Sequence, residues 1–419
     1  MHLCIKKHSI QYFLIYSLFL SIFLLPSYLA VDFGGSLPMF SIQRIIAIFA
    51  TMSCLINFKI RRFLSVCSYT KINLLIFTYA IVTFCSGAFN GTVIDKSWMG
   101  IVLEQILIFY LFVYFIKYEF SIEKMIILFR FCAFFLCILG IVEYIYGESF
   151  YSILQTTERE IWTGNFIRGG SYRIMGPFNH ALAYGMVLIV MFPISCYDIK
   201  KEKVDLFSNW ILVTLIIVNI FFTGSRSTLL VLGLELFLIF MISNGKNKLK
   251  IIVISILTII GIAIYINVVD NAITNNIRTI MYSIVDIIFG TNLSTENIYT
   301  ADVTVGYRLS LILLLFSKDI NPLIGNGYLY SVGYSIDNNY IGMFIKTGWL
   351  GIISFLSIII YVMLRCLSRV KTSRAKVIGI AVLGYCTHLF FVNELHTISI
   401  LFILLAMMYY ELYSSNFKH

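Results

Sequence analysis

Apolar residues recur along this chain in runs long enough to cross a bilayer, and no other feature constrains its fold as tightly. A span needs about 20 mainly apolar residues, and about twelve such stretches follow one another here. They begin near Ile10, Pro38, Ile72, Trp98, Met125, Phe178, Ser208, Ser227, Ile251, Asn339, Val377 and Ile398. In hydrocarbon each backbone N–H and C=O must be satisfied internally, so the stretches predict helices. The expected fold is all-α: one polytopic transmembrane domain over residues 1–419 with about twelve membrane helices. With 59% hydrophobic residues, 12% charged residues and a mean hydropathy of +0.90, the composition excludes a soluble domain.

Lys6 and Lys7 precede the first stretch as they would in a signal peptide. The Ser27-Tyr28-Leu29-Ala30 segment lacks the small residue three before a cleavage site, so a retained anchor is expected. Most of the 31 lysines and arginines fall in alternate short loops, among them Lys59/Arg61/Arg62, Lys200/Lys201/Lys203 and Arg369/Lys371/Arg374. By the positive-inside rule these loops and both termini are cytoplasmic. The net charge of +10 is then a topology signal and gives no reason to expect a nucleic acid partner.

The nine cysteines lie at the cytoplasmic side or within spans, without C-x-x-C or His/Cys ligand spacing. Small apolar fillers are the better reading of them than disulfides or a metal site, and neither metal nor cofactor is expected.

Two longer outer segments interrupt the spans, 147–176 and 268–338, and loops of that length are commonly functional. In the second, Ile273, Ile277, Ile280, Ile284 and Ile287 recur at helical spacing, predicting an amphipathic interfacial helix. The run Leu309 to Phe316 is too short to span, and is expected to dip into the outer leaflet or to cover a site.

Cations belong in the cytoplasmic loops, so the informative ones are Arg168, Arg173, Arg226, Arg278 and Arg308, on the outer side or at outer ends of spans. Arg226 lies in Thr223-Gly224-Ser225-Arg226-Ser227-Thr228, a polar turn at the start of the next helix. Free N–H groups, the helix dipole and a planar guanidinium together suit a phosphate. The plainer alternative is a Gly/Ser turn with an arginine reaching to lipid headgroups.

Arg173 precedes Gly176-Pro177-Phe178-Asn179-His180, where Gly-Pro breaks the backbone as the chain enters a span. His180 could exchange a proton near neutral pH, although a structural hydrogen bond is the commoner use of such a histidine. Arg308 is followed by Asn321-Pro322-Leu323-Ile324-Gly325-Asn326-Gly327, then by Asp337-Asn338-Asn339-Tyr340 and Thr347-Gly348-Trp349-Leu350-Gly351. Such amides and a carboxylate suit hydrogen bonding to sugar hydroxyls. Asp337 and Asn338 would also serve simply to cap the helix starting near Asn339.

These four motifs, in this order over Arg168 to Leu356, resemble those of the O-antigen ligase/polymerase family. The resemblance implies an undecaprenyl-diphosphate-linked oligosaccharide as donor and a large periplasmic loop before the late spans. It also implies an inner-membrane location, and a flippase and a chain-length regulator as partners beside the membrane lipid. Arg173, Arg226 and Arg308 would hold the diphosphate. Arg168, Ser225, Asn338 and Asn339 would contact substrate, and Arg226, Arg308, Asp337 and His180 would carry the catalysis. The ligase branch shows a His-Asn pair at the late motif. This chain has Asn338-Asn339 after Asp337, which favours a polymerase and leaves the general base open among Asp337, His180 and Glu158 or Glu160.

The expected reaction is attack by an acceptor hydroxyl on the sugar carbon bearing the diphosphate, with arginines stabilising the leaving charge. Two alternatives remain: a ligase that transfers glycan to lipid A core, and a flippase for the same lipid-linked unit. Transporters place ionisable residues along a midplane path. Here Arg44, Glu104, Arg130, Glu143 and Glu235 read as scattered through spans without pairing motifs.

Overall fold

The computed structural model describes residues 2–34, 39–56, 71–91, 96–157, 167–168, 171–245, 247–253, 256, 282, 310–328, 330, 336–393 and 397–415. In chain order the principal helices are α1 (His2–Leu24), α2 (Ile42–Ile56), α3 (Lys71–Phe89), α4 (Lys96–Ile101), α5 (Leu107–Tyr118) and α6 (Ile122–Tyr146). They continue with α7 (Ala181–Ser195), α8 (Trp210–Phe222), α9 (Arg226–Ile242), α10 (Asn339–Arg369), α11 (Ser373–His388) and α12 (Ile398–Ser415). A π-helical turn, Val102–Ile106, joins α4 to α5, and among the described residues three two-stranded antiparallel ribbons lie in the connections.

Among the described residues, four segments are long and apolar enough to cross a membrane: Ile72–Phe89, Trp98–Tyr118, Ile122–Tyr146 and Asn339–Arg369. Shorter apolar helices accompany them, including Ala181–Ser195, Trp210–Phe222 and Ile398–Ser414. Most of the apolar stretch that begins at Ile251, nearly all of the predicted amphipathic helix over 273–287 and most of the segment 268–338 lie outside the described residues. The bundle turns large apolar side chains outward: Leu74 and Phe77 on α3, Phe131, Phe134 and Phe135 on α6, and Ile353, Ile360 and Leu364 on α10. Patches of this kind on a folded surface mark contact with a membrane or with another protein.

At the centre stand α7 and α12, apolar around most of their circumference and buried along nearly their whole length. Around them α11 packs on α7 and α9, α10 on α3 and α12, and α6 on α8. Cys132, Cys137, Cys196 and Cys366 are buried in this core.

Charged side chains from three helices meet at one end of the bundle. There Arg374 of α11 pairs with both Glu123 of α6 and Glu411 of α12.

The intramembrane charges are not scattered as the sequence suggests. Arg44 on α2 pairs with Glu104 of the π-turn at 2.8 Å, and Gln43 donates to the same carboxylate. Arg130 reaches the carbonyls of Ile194 and Tyr197, closing the C-terminal end of α7. These partners lie 60 or more positions apart in the chain, so local spacing could not show them.

The late glycine motifs act as a structural dock. α10 is broken at Gly348, whose φ of 65° and ψ of −168° suit glycine alone. Into the break fits the loop 322–327. Asn326 N donates to Ile345 O, Gly327 N to Lys346 O, Trp349 N to Pro322 O and Leu350 N to Leu323 O. Ser86 of α3 sits within 2.7 Å of Ile324 O and 2.6 Å of Lys346 O. The run ending at Phe316 packs over the first half of α10, with Leu311 and Ile320 buried against Ile341, Phe344 and Ile345.

Candidate functional site

Arg226 opens α9, and the turn before it is built by its own side chains. Ser225 is the N-cap: its hydroxyl accepts from Thr228 N and from Thr228 Oγ1, the latter at 2.7 Å. Gly224 takes a positive φ of 57°, which lets the chain reverse between α8 and α9. Arg173 crosses this turn and donates from Nε to Thr223 O at 2.7 Å. Two arginines 53 positions apart in sequence number therefore belong to one polar turn at a helix N-terminus, an arrangement that favours an anion.

A buried carboxylate holds the Arg173 segment. Glu143, in the last turn of α6 and fully buried, accepts from Met175 N and Gly176 N, each at 2.9 Å, and from Tyr172 OH at 2.8 Å. A side chain on Gly176 would run into the Tyr184 ring, 2.9 Å from the position of its Cβ, so the Gly-Pro turn closes only with glycine there. Ile22, Leu25, Ser27 and Gln43 surround Pro177, Phe178 and Asn179, leaving a cavity of about 20 Å³.

His180 is the N-cap of α7. Its Nδ1 accepts from Leu182 N at 3.0 Å. With Nδ1 occupied as an acceptor, the neutral ring carries its proton on Nε2. Burial and the neighbouring Arg173 lower its pKa to about 4, against a smaller opposing effect of Asp337. At neutral pH His180 is thus an uncharged N–H donor. Accepting a proton as a base would break its cap. Asp337 is exposed and lies within electrostatic reach of His180. Glu158 and Glu160 lie outside the described residues.

Asn338 caps α10, its Oδ1 accepting from Tyr340 N and Ile341 N. Asn339 is buried, its backbone N donating to Leu389 O and its side-chain Nδ2 facing Met343 Sδ at 3.6 Å. The amides of the preceding motif are also committed: Asn321 Oδ1 accepts from Leu323 N and Ile324 N, while Asn326 bonds Asn321 N and Asp319 O. These amides stitch their own loop together. Short polar side chains next to glycine find backbone partners first.

The structure brings Arg173, Ser225, Arg226, His180, Asp337 and Asn338 to one end of the bundle, opposite the Arg374 cluster. Arg168 lies in the ribbon Ile167–Arg168 with Ser171–Tyr172, which leads directly to Arg173. Arg278 and Arg308 lie outside the described residues.

Sequence reasoning missed His388, the last residue of α11. It is 0% exposed, and its Nε2 lies 2.9 Å from Thr228 Oγ1. Because Thr228 donates to Ser225, the histidine ties the arginine-bearing turn to the end of α11, beside the start of α10. A histidine in an apolar run was its only signal.

Among the described residues no three His, Cys, Asp or Glu side chains converge as a metal site would require. Comparison with known proteins finds no matching family model and no matching curated protein.

Proposed function

We propose that this protein is a membrane glycosyltransferase that polymerises undecaprenyl-diphosphate-linked oligosaccharide units at the periplasmic face of a bacterial inner membrane. The observation that carries the reading is the shared turn of Arg173 and Arg226, with His180 and Asp337 in electrostatic reach of each other beside it.

In this reading an acceptor hydroxyl attacks the anomeric carbon of the donor sugar as the carbon–oxygen bond to the diphosphate breaks. The bonding pair leaves with the diphosphate, whose growing charge Arg226 and Arg173 stabilise from fixed positions. Asp337 takes the hydroxyl proton, and His180 offers Nε2–H to a phosphate or hydroxyl oxygen. Direct displacement inverts the anomeric centre. Both termini would be cytoplasmic, which puts the Arg374 cluster on the cytoplasmic side.

The test is to delete the gene in its host, complement with wild type or Arg226→Ala, and resolve surface glycans and lipid-linked intermediates. Single capped units from the deletion and from the normally expressed variant support polymerisation. Polymer held on its carrier lipid would instead indicate a ligase, and intermediates left facing the cytoplasm a flippase.

A further inference from the structure

Glu235 lies midway along α9, 0% exposed, and neither of its carboxylate oxygens has a hydrogen-bond partner among the described residues. It sits where three helices meet. A Cβ on Gly384 of α11 would lie 2.0 Å from Glu235 Oε1, and Ile189 of α7 closes the third side. The approach of α7 to α9 is equally tight one level up, where a Cβ on Gly185 would lie 2.5 Å from Thr228 Oγ1. Glycine at 185 and 384 makes room for the polar side chains of α9.

A bare carboxylate in such a seam is strongly disfavoured by its lost hydration unless a partner compensates it. The titratable groups on the surrounding elements do not compensate it. α7 brings Tyr184 and, at its C-terminal end, Cys196, and α11 brings Tyr385, Cys386 and His388. Arg226 is about two and a half turns away at the head of α9. At the other end of α11, Lys376 is exposed and Arg374 is engaged by Glu123 and Glu411.

His388 follows Gly384 by one turn on the same face of α11. Its Nε2 meets Thr228, and its Nδ1 is buried with no partner among the described residues. Thr228 continues to Ser225, and Ser225 lies 3.2 Å from Ser227. A line of exchangeable groups thus runs from the Arg226 turn toward Glu235.

We propose that Glu235 is a proton-binding site inside the helix bundle: a neutral carboxylic acid seated on Gly384, exchanging its proton with the Arg226 end through His388 and Thr228. The site is independent of the polymerase reading. It holds whether or not the protein joins glycans.

The test is infrared difference spectroscopy on the full-length protein in lipid nanodiscs, wild type minus Glu235→Gln, at neutral pH. The expected spectrum shows the carbonyl stretch of a protonated carboxylic acid, lost in the variant. Carboxylate stretches alone would overturn the proposal. If the Gln variant does not accumulate, Glu235→Asp keeps the acid in an altered setting and must shift the same band, and an unshifted band rejects the assignment. In deuterated buffer His388→Leu is expected to slow exchange of that band several-fold, and an unchanged rate would remove the exchange route.

Discussion

Thr228 and His388 stand 160 positions apart in the chain and share a buried contact of 2.9 Å between Oγ1 and Nε2. Through it the late helix α11 supports the N-cap of α9, and so the turn that carries Arg226. Substituting His388 by Leu leaves the Thr228–Ser225 pair without its third member. The expected loss is about 1–3 kcal/mol, read as a lower thermal midpoint in detergent. His388→Gln, which can still donate to Thr228, should recover part of it.

Gly348→Ala tests the dock between α10 and the loop 322–327. A Cβ there would lie 2.3 Å from Leu323 backbone atoms, and φ is 65°. The strained backbone alone costs about 1–3 kcal/mol. Limited proteolysis should cut the 317–327 segment of the variant faster than that of wild type.

Glu143→Ala would leave Met175 N and Gly176 N buried without an acceptor. The expected cost is about 2–6 kcal/mol for the two donors. Glu143→Gln, which retains an amide oxygen, should cost less. In a polymer assay the Ala variant should lose activity because the Arg173 segment is no longer held, with Arg173 itself intact.

His180 gives a pH dependence of definite sign. Its folded pKa, about 4, lies below the ordinary 6.5, so the folded state favours the neutral ring. That stabilisation is complete above the unfolded value and is lost as the pH falls from about 6.5 through about 4. His180→Asn can still cap α7. The variant should therefore lack this component of the acid-induced fall in thermal midpoint, measured against wild type between those two pH values.

Asp337→Asn separates base from cap, because Asn338 supplies the cap of α10. The variant should fold like wild type, with the same thermal midpoint. Its rate of polymer formation is expected to drop by about 10²–10⁴-fold, the usual contribution of a positioned general base.

Much of this was legible in the sequence because it is local. Apolar run length marks the helices, and Ser225 and Asn338 mark two of their starts. Gly-Ser-Arg-Ser put Arg226 at a helix N-terminus without any knowledge of neighbours. What local pattern could not reveal is which side of each helix meets which other helix. α7 is apolar all round, and in an apolar solvent there is no hydrophobic stripe to mark the packed face. Only the tertiary structure therefore paired Arg44 with Glu104, docked the Asn321–Gly327 motif into the break at Gly348, and set His388 behind Thr228. It also decided the environment of Glu235, since the room for that carboxyl comes from Gly384 on a helix about 150 residues further along, placed there by packing.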